Sequence, residues 1–486
     1  MAEMLARAVQ DRQRVPDEPM ELLVDKETLI LTPQVVEHAR AHARRSGKLH
    51  NEARAVFARH VIAALTNQVA DAIGTDPFAE DPLGGDDAPG DPMLLGPADL
   101  ADIRADLEAD PAVQAAMEWF WPILTPQQLL TDLFADAKAI ASAAPELGET
   151  ERALLLRAPG GWTPADVPLL DEAVELLGVD EEAERARLAA QVRQREAYAQ
   201  GALDIAEGSR PLDVEDEEEP EILLAGDLLD AASLAERQAL ADYATAAERA
   251  AADRTWAFGH IIVDEAQELS PMAWRLLMRR SPSRSMTVVG DVAQTGDLGG
   301  ASSWASVFGP YVADRWRSTE LTVNYRTPAE IMALAGSLLA TINPALRAPT
   351  SVRSTGEPPR VVRVEPRQLA SALASAVRDD TRRLGGGRLA VIVPEARAVE
   401  FATAVRTVAP DAAIGADADL TLPVAVLTVR QAKGLEFDAV IVVDPGGIES
   451  DSPRGRSDLY VALTRATQRL TLVTDDWPAG LERGIE

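Results

Sequence analysis

From Phe258 onward the chain is built of short β-branched runs separated by stretches at helical spacing. The runs fall at Ile261–Val263, Met286–Val289, Val361–Val364, Leu389–Val393, Val424–Val429, Val440–Val443 and Leu470–Val473. A strand that is apolar at nearly every position has to be covered on both faces, so the pattern predicts an α/β fold with parallel sheet between helices. Upstream, from Met1 to about Ala251, Ala, Leu, Glu and Arg recur at helical spacing. Segments such as Asp171–Leu177 and Leu234–Glu248 read there as amphipathic helices. No internal repeat is evident.

With 486 residues the chain has room for two or three domains. No run of about 18 apolar residues exists to span a membrane, and the N-terminus, MAEMLARAVQDRQ, lacks the apolar core of a secretory signal. There is no cysteine, hence no disulfide framework and no thiolate metal site, which fits a cytoplasmic protein. The net charge is −31, from 47 basic and 78 acidic residues, so at long range the chain repels phosphate backbones and suits a basic partner. Positive charge is almost all arginine, a usage that reads as a GC-rich, actinobacterial genome.

Two acidic segments interrupt the helical region: Asp76–Pro92, with six acids and no base, and Asp213–Glu221, with seven acids in nine positions. Like-charge blocks are commonly solvated; the functional alternative is phosphate mimicry inside a basic channel. Between His38 and His60 stand Arg40, Arg44, Arg45, Lys48, Arg54 and Arg59 with four of the five histidines. That stretch reads as a solvated helical face or as a phosphate-contacting stripe, and nothing in its spacing suggests a metal site.

The segment IIVDEAQ, Ile261–Gln267, ends a buried strand in adjacent carboxylates at the edge where α/β sheets bind ligands. Asp264 is placed to hold Mg²⁺, and Glu265 to orient and deprotonate an attacking water. One helix later VVGDVAQ, Val288–Gln294, ends another strand in Gly290, Asp291 and Gln294. The neutral Gln294 amide suits sensing of a γ-phosphate. Then follow LTVNYRTP, with Tyr325 and Arg326; LTVRQAKGLEFD, Leu427–Asp438; and LYVALTRAT, Leu459–Thr467, with Arg465.

These five stretches, in this order, resemble motifs II to VI of superfamily 1 helicases of the UvrD/Rep type. The resemblance implies two RecA-like domains, with ATP and Mg²⁺ bound between them. Arg326 and Arg465 then act as paired arginine fingers, since guanidinium stays charged and grips phosphate oxygens in a fork. Tyr325 stacks beside the base, Glu436 binds ribose hydroxyl, and Gln267, Gly290 and Asp291 join Asp264 around the nucleotide. Lys433 and Gly434 face nucleic acid, and Trp304 stacks on a base or packs in the core. Arg430 stands where relatives often have histidine, which weakens the case for nucleic-acid coupling.

The phosphate-cradling GxxxxGK[ST] loop is absent. The one Gly-Lys pair, Gly47–Lys48, has neither the upstream glycine nor a following Ser or Thr. Without the strand that enters this loop, its neighbours would lie unpaired with an apolar face uncovered. The expectation is an N-terminally truncated motor whose missing segment supplies the Walker A loop, and which alone binds ATP poorly.

Within the superfamily the chain is most similar to the HelD family, including its HelR type. The similarity is carried by DRQRVP (Asp11–Pro16), WTPADVPLLDEAVELLG (Trp162–Gly178) and AERAAADRTWAFGHIIVDEAQELS (Ala247–Ser270). It implies RNA polymerase as partner and its release from nucleic acid as the work done. The domain expectation is residues 1–318 as an incomplete first motor domain, with a helical insertion over about 51–250, and 319–486 as the second. The rival readings are a DNA-translocating helicase of UvrD/Rep type and a non-catalytic polymerase-binding factor, with DNA or RNA as a further partner.

Overall fold

The computed structural model describes residues 1–73, 95–178, 193, 253, 255–476 and 481. Both acidic segments and the expected helix Leu234–Glu248 lie outside the described residues. The chain divides into two compact units, Met1–Trp256 and Ala257–Glu486. Residues 257–318 fall in the second of these units.

In the first unit the order is α1 (Ala2–Asp11), β1 (Met20–Val24), β2 (Glu27–Leu31), α2 (Pro33–Arg45) and α3 (His50–Ile73). Then come α4 (Pro97–Ala109), α5 (Pro111–Phe120), α6 (Pro126–Ala135), α7 (Ala137–Ala143), α8 (Glu149–Leu155) and α9 (Val167–Leu177). Three of these helices start on the same signal, a capping side chain followed by proline. Thr32 Oγ1 accepts from Val35 N, Asp110 Oδ1 from Ala112 N and Val113 N, and Thr125 Oγ1 from Gln128 N. The caps satisfy amides that lack a partner in the first turn, where proline has none to lose. One apolar core gathers Val36, Phe57, Val61, Leu65, Phe120 and Trp121; another gathers Leu5, Leu129, Leu133, Phe134 and Leu177.

The β1–β2 hairpin interrupts the helical spacing that dominates this region of the sequence. Met20 pairs with Leu31 and Val24 with Glu27, and Leu22, Leu29 and Leu31 are buried. The two-residue turn is Asp25–Lys26, both at positive φ, 46° and 77°. Such turns normally announce themselves with Asn-Gly or Asp-Gly. Here a lysine occupies the second position, so the usual signal is missing.

The second unit holds a six-stranded parallel sheet of order β7-β12-β11-β8-β10-β9. Its strands are β7 (Arg360–Arg363), β8 (Leu389–Val393), β9 (Ala413–Ile414), β10 (Val424–Thr428), β11 (Phe437–Val443) and β12 (Ala466–Thr474). Successive residues serve opposite cores: Ala390, Ile392, Leu427, Val440 and Leu472 face one, and Val391, Val393, Val426, Ile441 and Val473 the other. This is why the strands read as unbroken apolar runs.

Ahead of this sheet lie β3 (Ile261–Val263), α10 (Pro271–Arg280), β4 (Met286–Val288), α11 (Trp304–Val312), β5 (Val323–Asn324), α12 (Ala329–Ile342) and β6 (Thr350–Ser351). Within and after it run α13 (Leu369–Leu384), α14 (Ala398–Arg406), α15 (Val429–Ala432), α16 (Pro445–Ser450) and α17 (Gly455–Thr464). α12 and α17 cover the first face through Leu334, Leu338, Leu459 and Leu463; α13 and α14 cover the second through Leu373, Val377 and Phe401.

β3 and β4 form a separate parallel pair over a small core of Val263, Trp274, Met278 and Phe308. Among the described residues they pair with no further strand, and Ile262 is 73% exposed. No described helix is long and apolar enough to cross a membrane.

Candidate nucleotide site

β3 delivers Asp264 and Glu265 to its C-terminal end. Glu265 takes a left-handed conformation, φ 48° and ψ 36°, which is unusual for a residue with a side chain and concentrates at functional turns. Asp264 Oδ1 accepts from Glu265 N at 2.9 Å and so holds this turn. Glu265 Oε2 accepts from Gln267 Nε2 at 2.7 Å, and Gln267 Oε1 accepts from Asp291 N at 3.0 Å. The buried Gln267 thus locks the turn after β3 to the turn after β4.

Gly290 is glycine because nothing larger fits. A Cβ there would lie 2.4 Å from Gln267 Oε1 and 3.0 Å from the Trp304 ring. Trp304 itself stacks on Phe308, with ring centroids 5.9 Å apart and planes 14° apart, beside the small core. In the second turn Asp291 Oδ2 accepts from Gln294 Nε2 at 2.9 Å and Asp291 Oδ1 from Ala293 N at 2.9 Å. These two bonds leave the Gln294 Oε1 pointing outward as an acceptor.

Arg465 takes up that acceptor. Its side chain is buried, its Nε donates to Val461 O at 3.1 Å, and its Nη2 donates to Gln294 Oε1 at 3.0 Å. Burial lowers the Arg465 pKa, while the nearby Glu265 and Glu436 carboxylates raise it and Arg326 lowers it further. Guanidinium keeps its proton throughout. Arg326 follows an Asn324 turn in which Asn324 Oδ1 accepts from Arg326 N and Thr327 N. Thr327 Oγ1 donates to Thr464 O at 3.4 Å, fastening this turn to the end of α17 and bringing the two arginines together. Arg326 Nη1 forms an ion pair with Glu436. Tyr325 lies 69% exposed beside them.

Glu265, Gln267, Asp291, Gln294, Arg326, Glu436 and Arg465 therefore converge, and Asp264 adjoins them. The remaining expected residues are placed differently. Lys433, read as facing nucleic acid, donates from Nζ to Glu268 Oε1 at 2.8 Å. Arg430 is exposed on α15, and Gly434 sits beyond Lys433 at φ +73°. Sequence reasoning passed over Glu268, although it follows Gln267 directly in the chain. It accepts from Gly296 N and Asp297 N as well as from Lys433. Asp458, also passed over, has its pKa raised by burial beside this group, with Lys433 opposing. Tyr460, buried near Asp291, has its phenol pushed up to about 12, first by burial and then by that carboxylate.

Among the described residues no cluster of three or more His, Asp or Glu is suited to hold a metal by itself. A single exposed carboxylate such as Asp264 suits Mg²⁺, which is usually bound through one or two carboxylates together with phosphate oxygens. Two guanidiniums facing a carboxylate turn, joined by a neutral amide, make a pocket wall for a polyanion.

A parallel α/β sheet with this wall beside it is consistent with a RecA-like fold. Residues 423–473 match the family model described as UvrD-like helicase C-terminal domain. Among solved structures, similarity extends to the C-terminal domain of a possible DNA helicase from Lactobacillus plantarum WCFS1. There the identity is 22%, over 34% of this chain and 94% of that one, with a TM-score of 0.26. The PRRSV helicase is 21% identical over 44% of this chain and 34% of its own, with a TM-score of 0.26. Arterivirus nonstructural protein 10 (helicase), solved with DNA, is 20% identical over 45% and 40%, with a TM-score of 0.25. No curated protein matches.

Proposed function

We propose that this chain supplies the carboxylate turn and the arginine pair of an ATP-driven motor of HelD type, which binds RNA polymerase and releases it from nucleic acid. The observation that carries the motor reading is the Arg465–Gln294 hydrogen bond, with Glu265 and Arg326 acting on the same guanidinium. Asp264 would hold Mg²⁺, whose positive charge offsets that developing on transferred phosphate oxygens. Glu265 Oε2 is engaged by Gln267, so Glu265 Oε1 is the atom to hold the attacking water and take its proton. Arg465 and Arg326 turn from Gln294 and Glu436 to phosphate oxygens, and Tyr325 offers its exposed ring to the base.

The polymerase reading rests on the HelD-like stretches, on the net charge of −31, and on Lys433 being engaged with Glu268. A basic partner channel suits such a chain better than a bare phosphate backbone.

Two measurements test the two halves separately. Fluorescent ATP should bind weakly and only with Mg²⁺, because the sequence has no GxxxxGK[ST] loop, and Arg465→Gln should weaken it by about tenfold more. Unchanged affinity in that variant would defeat the motor reading. A pull-down with purified RNA polymerase should retain the chain; no retention at low salt would defeat the polymerase reading and leave the motor one standing.

A further inference from the structure

His38 and His42 lie one turn apart on α2, and His60 comes to them from α3. The ring centroids are 4.4 Å apart for His38–His42, 4.4 Å for His42–His60 and 6.5 Å for His38–His60. Three of the five histidines in the chain thus occupy one outward face of the helix pair. Arg45 extends that face on α2 and Arg59 on α3. Arg40, Arg44 and Arg54 are occupied elsewhere, by Glu37, Gln13 and Glu118.

His42 Nδ1 has two neighbours that ask opposite things of it. The His38 carbonyl, 3.0 Å away, can only accept; Arg45 Nη2, 3.2 Å away, can only donate. With a lone pair on Nδ1 the ring accepts from Arg45. With a proton on Nδ1 it donates to the His38 carbonyl and has nothing to offer Arg45. The imidazolium, protonated on both nitrogens, allows only the second arrangement.

We propose that the α2–α3 face is a proton-gated binding surface for the phosphodiester backbone of single-stranded nucleic acid. Protonation of His42 adds a charge and releases the Arg45 guanidinium, while Arg59 extends the cationic strip and the His38 and His60 rings flank it. Imidazole rings also present flat faces on which unpaired bases stack. The charged groups around the rings fit this use. Glu37, one turn back, is held by Arg40; burial first, and then His42, His38 and Arg59, lower the pKa of His60, so the gating proton belongs to His42. β2 and α4 meet α3 through the apolar cluster of Leu31, Phe57, Leu65 and Leu107, and α9 meets it through Asn51 and Gly178. The overall negative charge does not forbid binding, because salt screens it beyond about 8 Å at physiological ionic strength and leaves contact charges to decide.

The test uses the full chain and a fluorescent single-stranded oligonucleotide, by anisotropy at about pH 6 and about pH 8. Binding should tighten by about tenfold on acidification, with a steeper salt dependence. Arg45→Gln and Arg59→Gln should each weaken binding at the lower pH and matter little at the higher. His42→Gln, which has no titrating proton, should flatten the pH response. All three side chains are on the outer face, so unchanged thermal melts identify properly folded variants. Wild-type affinity of folded Arg45→Gln at low pH, or a full pH response in His42→Gln, overturns the proposal. Inorganic tripolyphosphate is the competitor: displacement only at millimolar levels supports an extended backbone site, and displacement at micromolar levels overturns it in favour of a compact polyphosphate. Binding by the motor unit appears as a pH-independent baseline, so failure of the motor reading leaves this result untouched.

Discussion

Arg465 Nη2 donates to Gln294 Oε1 at 3.0 Å, joining the end of α17 to the turn after β4 through one charged donor and one neutral acceptor. Such bonds contribute roughly 1.5–3 kcal/mol when shielded from water. A double-mutant cycle of Gln294→Ala and Arg465→Lys, read by chemical denaturation of the chain, should give a coupling of about 1 kcal/mol or more. Simple additivity would mean that the two groups are neighbours without being partners.

Replacing Gly290 by alanine should act through the neutral Gln267 side chain. The new methyl group has to displace Gln267 Oε1, and with it the bond from Asp291 N. Nucleotide binding should fall while the far-UV spectrum stays the same. Retained binding would show that the two turns hold their geometry without Gln267.

The Lys433–Glu268 pair should respond to substitution as a structural contact. Both side chains are about three-quarters covered, and Glu268 also holds Gly296 N and Asp297 N. Lys433→Met leaves that carboxylate without its cation and should cost about 1–2 kcal/mol, less in high salt. If thermal stability is unmoved, Lys433 spends its time elsewhere.

Acid should loosen the first unit through His50. Nε2–H donates to Pro122 O at 2.8 Å, Nδ1 accepts from Gln13 Nε2 at 3.2 Å, and the ring stacks on Trp121. Burial holds its pKa down at about 4, against 6.5 for the free side chain. The unfolded chain therefore binds a proton over that window and the folded one does not, so stability falls as pH drops from about 6.5 to about 4. The full loss is roughly 3 kcal/mol. Replacement by glutamine should remove this slope from urea titrations at several pH values; an identical slope would place the acid sensitivity elsewhere.

What the sequence made legible followed periodicity. β8, β10 and β11 are apolar at nearly every position because both faces of the sheet are covered, and that pattern needs no partner information. LTVNYRTP and LYVALTRAT single out Arg326 and Arg465, and the fold brings these side chains near each other although 139 positions separate them. The hairpin at Asp25–Lys26 was not readable, because its positive φ angles rest on residues that ordinarily avoid them. Glu268 was overlooked for another reason. Its importance comes from Lys433, 165 positions away, and no local pattern records such a meeting.

The β3–β4 pair has a practical consequence. Ile262 is 73% exposed and Val289 46%, beside strand backbone that no other described strand borders. Greasy, hydrogen-bond-hungry ribbon of this sort adheres to its own kind. Concentrated stocks of the purified chain should scatter light increasingly with time, and Ile262→Lys should keep them clear.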